Sequence, residues 1–382
     1  MQKAGQKTNF FDELTGVRAI AAFLVFFHHH NMFYAQKYGS FLHDFVNEFH
    51  VGVTVFFVLS GFLICYRYYD NIEIRNKKWI VQYIQNRVAR IYPMYFLITT
   101  LTFIILFLQS EHLLYDVKLY LANITFLRGF FQSVAFTGVG QGWSLTVEEC
   151  FYFSAPVLFT LSRRVKLFIP FLVIFFIGVL LVLLFSGINY YGFFGNFKFM
   201  LSYTFFGRCF EFFVGISLAL FYKKNQYRLK SATTYWTFAG IFWMAGCIAL
   251  LVLVKGDQIF GVFTYRGIFI NNILLPLGIA MLFWGLITEK TIIKRILSTK
   301  LFVLLGKSSY TFYLIHQGLI ALFVFKFTDN VLVAFVLINI LSIVLFKLIE
   351  EPSNKWLRSI RFHTHLSGIK RKVWNRSIAE KK

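Results

Sequence analysis

LTGVRAIAAFLVFFHHHN, residues 14–31, decides how the rest of the chain is read. It is the first long apolar run, opened by Arg18 and closed by His28, His29 and His30. Arg18 and His29 stand eleven residues apart. At about 100° per residue, eleven steps make three turns, which brings both side chains to nearly one helix face. The rise between them is roughly 16 Å, about half the thickness of a bilayer core. An arginine at one membrane surface and a histidine deep on the same face point to a site inside a membrane protein. No small-residue cleavage site follows the run and further spans come later, so it reads as a retained first span rather than a signal peptide.

The rest of the chain agrees with that solvent. Of 382 residues, 58% are hydrophobic, 20% are aromatic and 51 are phenylalanine. A soluble protein of this size could not hide so much apolar surface, so lipid must be part of its surroundings. The formal net charge of +22 invites a nucleic-acid partner. Its distribution argues against one, because the charges sit in short loops between apolar runs and in the tail. Cys65, Cys150, Cys209 and Cys247 lie in apolar segments without metal-ligand spacing and read as small buried hydrophobes. No metal is expected.

Apolar runs at 14–34, 51–66, 91–108, 143–161, 168–186, 201–221, 236–254, 268–287, 309–326 and 331–349 give an all-α polytopic protein of about ten spans. An apolar patch within 121–136 reads as interfacial. No linker or repeat divides the chain. Residues 1–13 form a polar lead, 14–352 one membrane-embedded domain, and 353–382 a basic tail. Placing both ends in the cytoplasm satisfies the positive-inside rule. The inside segments then hold Arg67, Arg75, Lys77, Lys78, Arg163, Arg164, Lys166, Lys223, Lys224, Lys290, Lys294 and Arg295, while the outside loops hold only scattered cations such as Lys37, Lys118 and Lys255.

Charges inside spans are costly and are either functional or paired. Arg208 and Glu211 lie three apart on one face, as a structural ion pair or as a substrate-holding arginine with an orienting acid. Ser144 and Glu148 lie four apart and meet on one face; Glu148 and Glu149 sit toward the outer end of the fourth span. His316 falls eight residues into the ninth span. Consecutive His28, His29 and His30 face three directions. Only His29 shares the Arg18 face, which leaves His28 and His30 for capping or structural hydrogen bonds. Arg87 and Arg90, spaced i,i+3 at the cytoplasmic edge, suit phosphates of lipid headgroups or of a soluble donor. Cations at the inner edge and titratable groups deeper in fit a reaction across the bilayer. No zinc signature, P-loop, nucleophile elbow or dinucleotide fingerprint is present.

Seven blocks, in order from about Phe11 to Pro352, resemble the membrane-bound acyltransferase 3 family, which includes polysaccharide and lipopolysaccharide O-acetylases. They are Arg18 with His29; Phe56–Ile64 with Ser60 and Gly61; Arg87, Arg90, Ile91, Tyr92 and Pro93; Trp143, Ser144, Leu145, Val147, Glu148, Glu149, Phe151 and Tyr152; Arg208, Glu211, Phe212 and Gly215; Ser309, Tyr310, Tyr313, Leu314 and His316; and Glu350 with Pro352. Two positions depart from the family pattern. Ala19 stands where the family usually has glycine, and Gly318 where it often has proline.

The resemblance implies transfer of an acyl group, most often acetyl from acetyl-CoA, to a hydroxyl of a surface or lipid-linked sugar. The enzyme would sit in the bacterial cytoplasmic (inner) membrane. Arg18, Arg87 and Arg90 would hold the donor's phosphates. His29, oriented by Glu148 or another acid, would act as general base, and an arginine or His316 would stabilise the oxyanion. Acyl-CoA enters as cosubstrate, with no resident cofactor. The partners would be a glycan or lipid-linked acceptor, membrane lipids and glycan-assembly proteins. Some family members carry an extra periplasmic hydrolase-like domain. The length here leaves no room for one, so the membrane domain or a partner is expected to handle the acceptor. A transporter or flippase for a lipid-linked sugar also fits ten spans with a polar interior, although no inverted repeat supports it. A purely structural or sensory protein would gain nothing from so many intramembrane charges.

Overall fold

The computed structural model describes residues 11–109, 112–188, 190–226 and 234–360. Among them all regular structure is helical, apart from one isolated bridge between Phe131 and Phe193. Ten principal helices follow the apolar runs: α1 Asp12–His29, α2 Gly52–Tyr68, α3 Lys77–Gln109, α4 Trp143–Ser162, α5 Phe168–Phe185, α6 Phe205–Asn225, α7 Tyr235–Val254, α8 Leu275–Thr288, α9 Lys300–Ile315 and α10 Val331–Leu345. Seven helical stretches are long and apolar enough to cross a membrane, or up to eight if α9 is joined across a 91° bend to Leu319–Phe325.

The two principal helices outside that group are α1 and α4, and both carry candidate site residues. The 18 residues of α1 include Asp12, Glu13 and Arg18, and α4 includes Glu148 and Glu149. Glu13 and Glu149 are buried in protein and Arg18 and Glu148 are half-buried, which reduces the penalty that lipid would impose, while Asp12 at the helix end is exposed. The opposite case is α5, where Pro170, Gly178 and Val182 are the only buried residues and one exposed, wholly apolar side is left for lipid.

Close backbone approach holds the centre together. A Cβ placed on Gly215 of α6 would lie 2.0 Å from the Val58 carbonyl oxygen of α2, and one on Gly61 would lie 2.3 Å from the Phe212 carbonyl oxygen. The two glycines therefore let α2 and α6 touch along their backbones, the small-residue packing that membrane helices use where water supplies no drive to associate. Between α1 and α9, Gly306 meets the Thr15 carbonyl in the same manner.

Several boundaries differ from those expected. The third helix begins at Lys77, not near residue 91, so Arg87 and Arg90 stand within α3 rather than in a basic loop. The helix continues through Pro93, and the Ala89 carbonyl that the proline leaves without a helical donor accepts from Asn354 at 2.9 Å. The ninth span breaks at His316 instead of running straight to 326. The tenth continues through a π-turn, Phe346–Glu350, into Glu351–Ser359. The interfacial patch becomes a helix, Leu113–Ile124, followed by short turns. Most of the polar lead, Arg228 and Lys230, and the tail beyond residue 360 lie outside the described residues.

Candidate active site

At the last turn of α1 the three histidines separate. His29 is exposed, and its ring lies 5.3 Å from that of His316, centroid to centroid, with 30° between the planes. His30 donates from Nε2 to the His316 carbonyl oxygen at 2.8 Å. His28 turns the other way, donating from Nδ1 to the Asn47 carbonyl oxygen and packing against His50 and Phe260.

His316 is completely buried. Its Nδ1–H donates to the Tyr313 carbonyl oxygen at 2.8 Å, so in the neutral ring Nε2 carries the lone pair. Among the described residues Nε2 has no hydrogen-bond partner. The surroundings of the ring follow from how α9 ends. The last carbonyls of a helix lack intrahelical donors. Here Gln141 Nε2 donates to the Tyr313 and Leu314 carbonyls at 2.9 and 2.8 Å, alongside His316 and His30. Gly318 then turns the chain with φ +78° and ψ −152°, a conformation open essentially to glycine alone and closed to proline. A Cβ at Gly318 would meet no atom within 4 Å, so the Gly318→Ala change tests the backbone only. It is expected to cost about 1–3 kcal/mol, seen as a lower thermal midpoint in detergent, with the His316 environment disturbed.

The cations collect at the other end of the same interior. Arg87 is buried between two aromatic rings, its guanidinium 5.4 Å from the Tyr68 ring and 5.5 Å from the Tyr152 ring, and it donates to the Tyr68 hydroxyl at 3.2 Å. Arg90 pairs with Glu350 at 2.8 Å, and Thr311 donates to the second oxygen of Glu350 at 2.6 Å. Arg18 lies over Phe56 at 6.0 Å, within electrostatic reach of Arg90, Glu148, Tyr152 and Glu350. Among the described residues the buried Nε atoms of Arg18 and Arg87 have no acceptor.

Glu148 is corrected in position. It accepts from Ser60 at 2.5 Å and from the Tyr152 hydroxyl, the ring that also faces Arg87. It therefore joins the arginine group and not His29, because its side chain crosses to α2 rather than rising along α4. What connects the two ends is a row of rings: His316 to Tyr313 at 5.6 Å, Tyr313 to Phe56 at 5.9 Å, then Phe56 to the Arg18 guanidinium. Ser144 holds the Tyr313 hydroxyl at 2.8 Å. Seven of the eight predicted residues thus divide between the ends of one file or stand off it, with Arg18 on the bridge.

Arg208 and Glu211 stand off it. Both are buried, and two parallel hydrogen bonds of 2.8 and 2.6 Å join the guanidinium to both carboxylate oxygens. Two further donors reach the Ser202 carbonyl at 3.1 Å and the Thr54 hydroxyl at 3.0 Å, and Phe57 covers the plane. Four of the five N–H donors of Arg208 are thus spent on holding α6 to its neighbours. Among the described residues no group of three His, Cys, Asp or Glu side chains could hold a metal ion.

The sequence model of a family described as an acyltransferase domain matches residues 11–349. The chain belongs to the acyltransferase 3 family. It is 26% identical over 337 residues to a Bacillus subtilis protein named "Putative peptidoglycan O-acetyltransferase YrhL", covering 81% of this chain and 48% of that one. It is 24% identical over 379 residues to a "Putative O-acetyltransferase" of Staphylococcus aureus (strain COL), covering 92% and 58%. The acyltransferase MdmB of Streptomyces mycarofaciens matches at 29% over 168 residues, 40% of each chain. The chain spans about half the length of these curated relatives. No solved structure matches it.

Two groups in this acyltransferase 3 chain escaped the sequence reading. Arg67 and Arg358, both exposed, lie within electrostatic reach of one another, and Arg358 also of Arg87 and Arg90. Arg358 arrives there because Gln85 donates to the Leu357 and Ile360 carbonyls at 2.5 and 2.7 Å, and Asn354 to that of Ala89 at 2.9 Å. On the histidine side, His50 bonds Glu48 at 2.9 Å, and Glu48 also accepts from the Gly261 backbone at 2.6 Å. Short range hides such groups. Arg358 is more than 260 positions from Arg90, and only the amphipathic pattern of 351–359 hinted that one face was packed.

Proposed function

We propose that this chain transfers an acyl group, acetyl from acetyl-CoA, to a hydroxyl of a sugar in a surface or lipid-linked glycan. The family membership and the O-acetyltransferase names of two relatives support acyl transfer. The observation that carries the reading is the file from the arginine group to the paired rings of His29 and His316. An extended donor with phosphates at one end and a thioester at the other matches that layout. The protein would span the bacterial cytoplasmic membrane about ten times with both ends in the cytoplasm, its acceptor on the outer side. Glycan-assembly proteins would supply that acceptor.

In this mechanism Arg87, Arg18, Arg67 and Arg358 bind the donor phosphates, guanidinium groups being suited to bidentate contact with phosphate. Arg90 contributes its unshared edge while Glu350 fixes its position. His29, the exposed ring, accepts the proton of the acceptor hydroxyl as its oxygen attacks the thioester carbonyl. The C–O bond forms, the C–S bond breaks, and the proton passes from His29 to the leaving thiolate. With Nδ1–H committed to Tyr313, His316 offers a lone pair rather than a donor, so it serves the histidine pair as an acceptor. Arg208 and Glu211 serve as a helix clamp in place of the catalytic roles expected for them, and Glu148 orders Tyr152 and Ser60 beside the donor.

The test is incorporation of labelled acetyl from acetyl-CoA into envelope glycan by membranes, together with the O-acetyl content by mass of glycans from a deletion strain. Label that crosses the membrane on an unmodified sugar would replace this reading with transport. Removing Arg67 and Arg358 together should raise the KM for acetyl-CoA by about tenfold, equivalent to about 1.4 kcal/mol, with kcat preserved. An unchanged KM would take both residues out of the donor mouth.

A further inference from the structure

A cavity of about 320 Å³ opens on the side of the bundle where α1 ends at His29. It lies between the connection 125–142, the segment 190–204 and the connection 255–264. Its size is at the lower end for small-molecule sites, which run roughly 300–1,000 Å³. Three carboxamides line it, Gln132, Asn196 and Gln258, with Phe136 and Tyr203 as aromatic walls and Lys198 at the side. Asn196 donates to the Gln132 oxygen at 2.7 Å, which orients that amide and leaves its NH₂ to the cavity. The Gln258 amide forms no hydrogen bond among the described residues.

The wall is built rather than incidental. Gln132 and Ser133 donate backbone hydrogen bonds to Gly192 and Tyr191, both at 3.1 Å, and Phe194 donates to Phe130 at 3.2 Å. This pairing holds Tyr191 at φ 50° and Phe194 at φ 43°, unfavourable for bulky aromatic residues. Two aromatic contacts tie the cavity to the reacting end. Phe263 lines it and lies 5.3 Å from Phe260, whose ring packs on His28 at 4.9 Å. Tyr203 meets Trp143 at 5.0 Å, one residue before the Ser144 that holds Tyr313.

We infer that this cavity is an acceptor subsite that binds a 2-acetamido sugar unit of the glycan, at least one unit away from the sugar that is acylated. The inference rests on the glycan-acceptor reading above. Aromatic walls suit the C–H faces of a pyranose ring. Carboxamides both donate and accept, which matches an acetamido group flanked by hydroxyls. Two rings, Phe260 and His28, stand between the lining Phe263 and His29, so the unit held here is not the reacting one but one further along the glycan. Binding energy from such a remote unit positions the reacting hydroxyl.

The experiment is saturation-transfer NMR and titration of the detergent-purified full chain with N-acetylglucosamine and its β-1,4 tetramer. The tetramer is expected to bind at least tenfold tighter than the monosaccharide. Phe136→Ala and Gln258→Ala should each remove five- to tenfold of that advantage. Phe136 is 50% exposed, so its replacement spares the fold, and matched size-exclusion profiles check this. Phe242→Ala, on the lipid-facing side of α7, should bind as wild type. Equal binding of tetramer and monosaccharide by the wild type, or undiminished tetramer binding by both cavity variants, overturns the subsite. Acetyl incorporation with this subsite disproved would leave the acyltransferase reading standing. Selective tetramer binding by a chain that never consumes acetyl-CoA would separate the two in the other direction.

Discussion

His29→Ala is expected to lower acetyl incorporation by about 10²–10⁴-fold, the range associated with a positioned general base. The amount of protein in the membrane should stay at the wild-type level, because among the described residues the exposed ring supports no neighbour through a hydrogen bond. His316 needs a finer pair of variants, since it both closes α9 and presents a lone pair. Asparagine places an amide NH₂ where Nδ1–H stands and keeps the bond to Tyr313, but offers nothing at the Nε2 position. His316→Asn should therefore fold normally and still lose most of the activity. Activity near wild type in His29→Ala membranes would remove His29 from the chemistry. Full activity in His316→Asn would reduce His316 to a helix cap.

Arg208→Ala should instead abolish the folded protein. Removing one partner of a buried, doubly bonded ion pair leaves the other charge without compensation and costs about 3–5 kcal/mol. That is a large share of the roughly 5–15 kcal/mol that holds a typical domain together. The measurement is the yield of monodisperse protein in detergent and its thermal midpoint. The double change Arg208→Met with Glu211→Leu removes both charges and should recover much of that yield, as apolar replacements of buried pairs do. If the double variant also regains acetyl transfer, the pair is a clamp between α6, α2 and the 197–203 turn. A stable Arg208→Ala protein lacking activity would return Arg208 to the catalytic group.

The two predictions separate what looked alike in the sequence. Arg208 and Arg18 are both intramembrane arginines near an aromatic ring. In space, four of the five donors of Arg208 meet Glu211, Ser202 and Thr54, whereas the Nε of Arg18, beside a group of opposed charges, has no partner among the described residues. Spacing of three on one helix face was enough to anticipate the Arg208–Glu211 pair. It could not reveal that Thr54, more than 150 positions away, would take up a further donor. For Glu148 the sequence misled, because depth along α4 is not the direction of its side chain.

By itself the sequence determined the solvent and the helices. Its apolar runs match bilayer thickness, every one of them became helical, and the ordered blocks from Arg18 to Pro352 sufficed for the family. Those properties are local: hydropathy sums over a window, and periodicity repeats within a turn or two. Tertiary structure decided the rest. It joined His29 to His316 across 287 positions, put Glu148 with the arginines, broke α9 at Gly318, and brought Arg358 beside Arg87 and Arg90. These depend on which helix faces meet, and the meeting is fixed by close contacts such as Gly61 with Phe212 and Gly215 with Val58, which no window of sequence contains. The opening stretch, residues 14–31, shows both halves. Its period aligned Arg18 with His29, and only packing of the neighbouring helices supplied Phe56, Tyr313 and His316 to connect them.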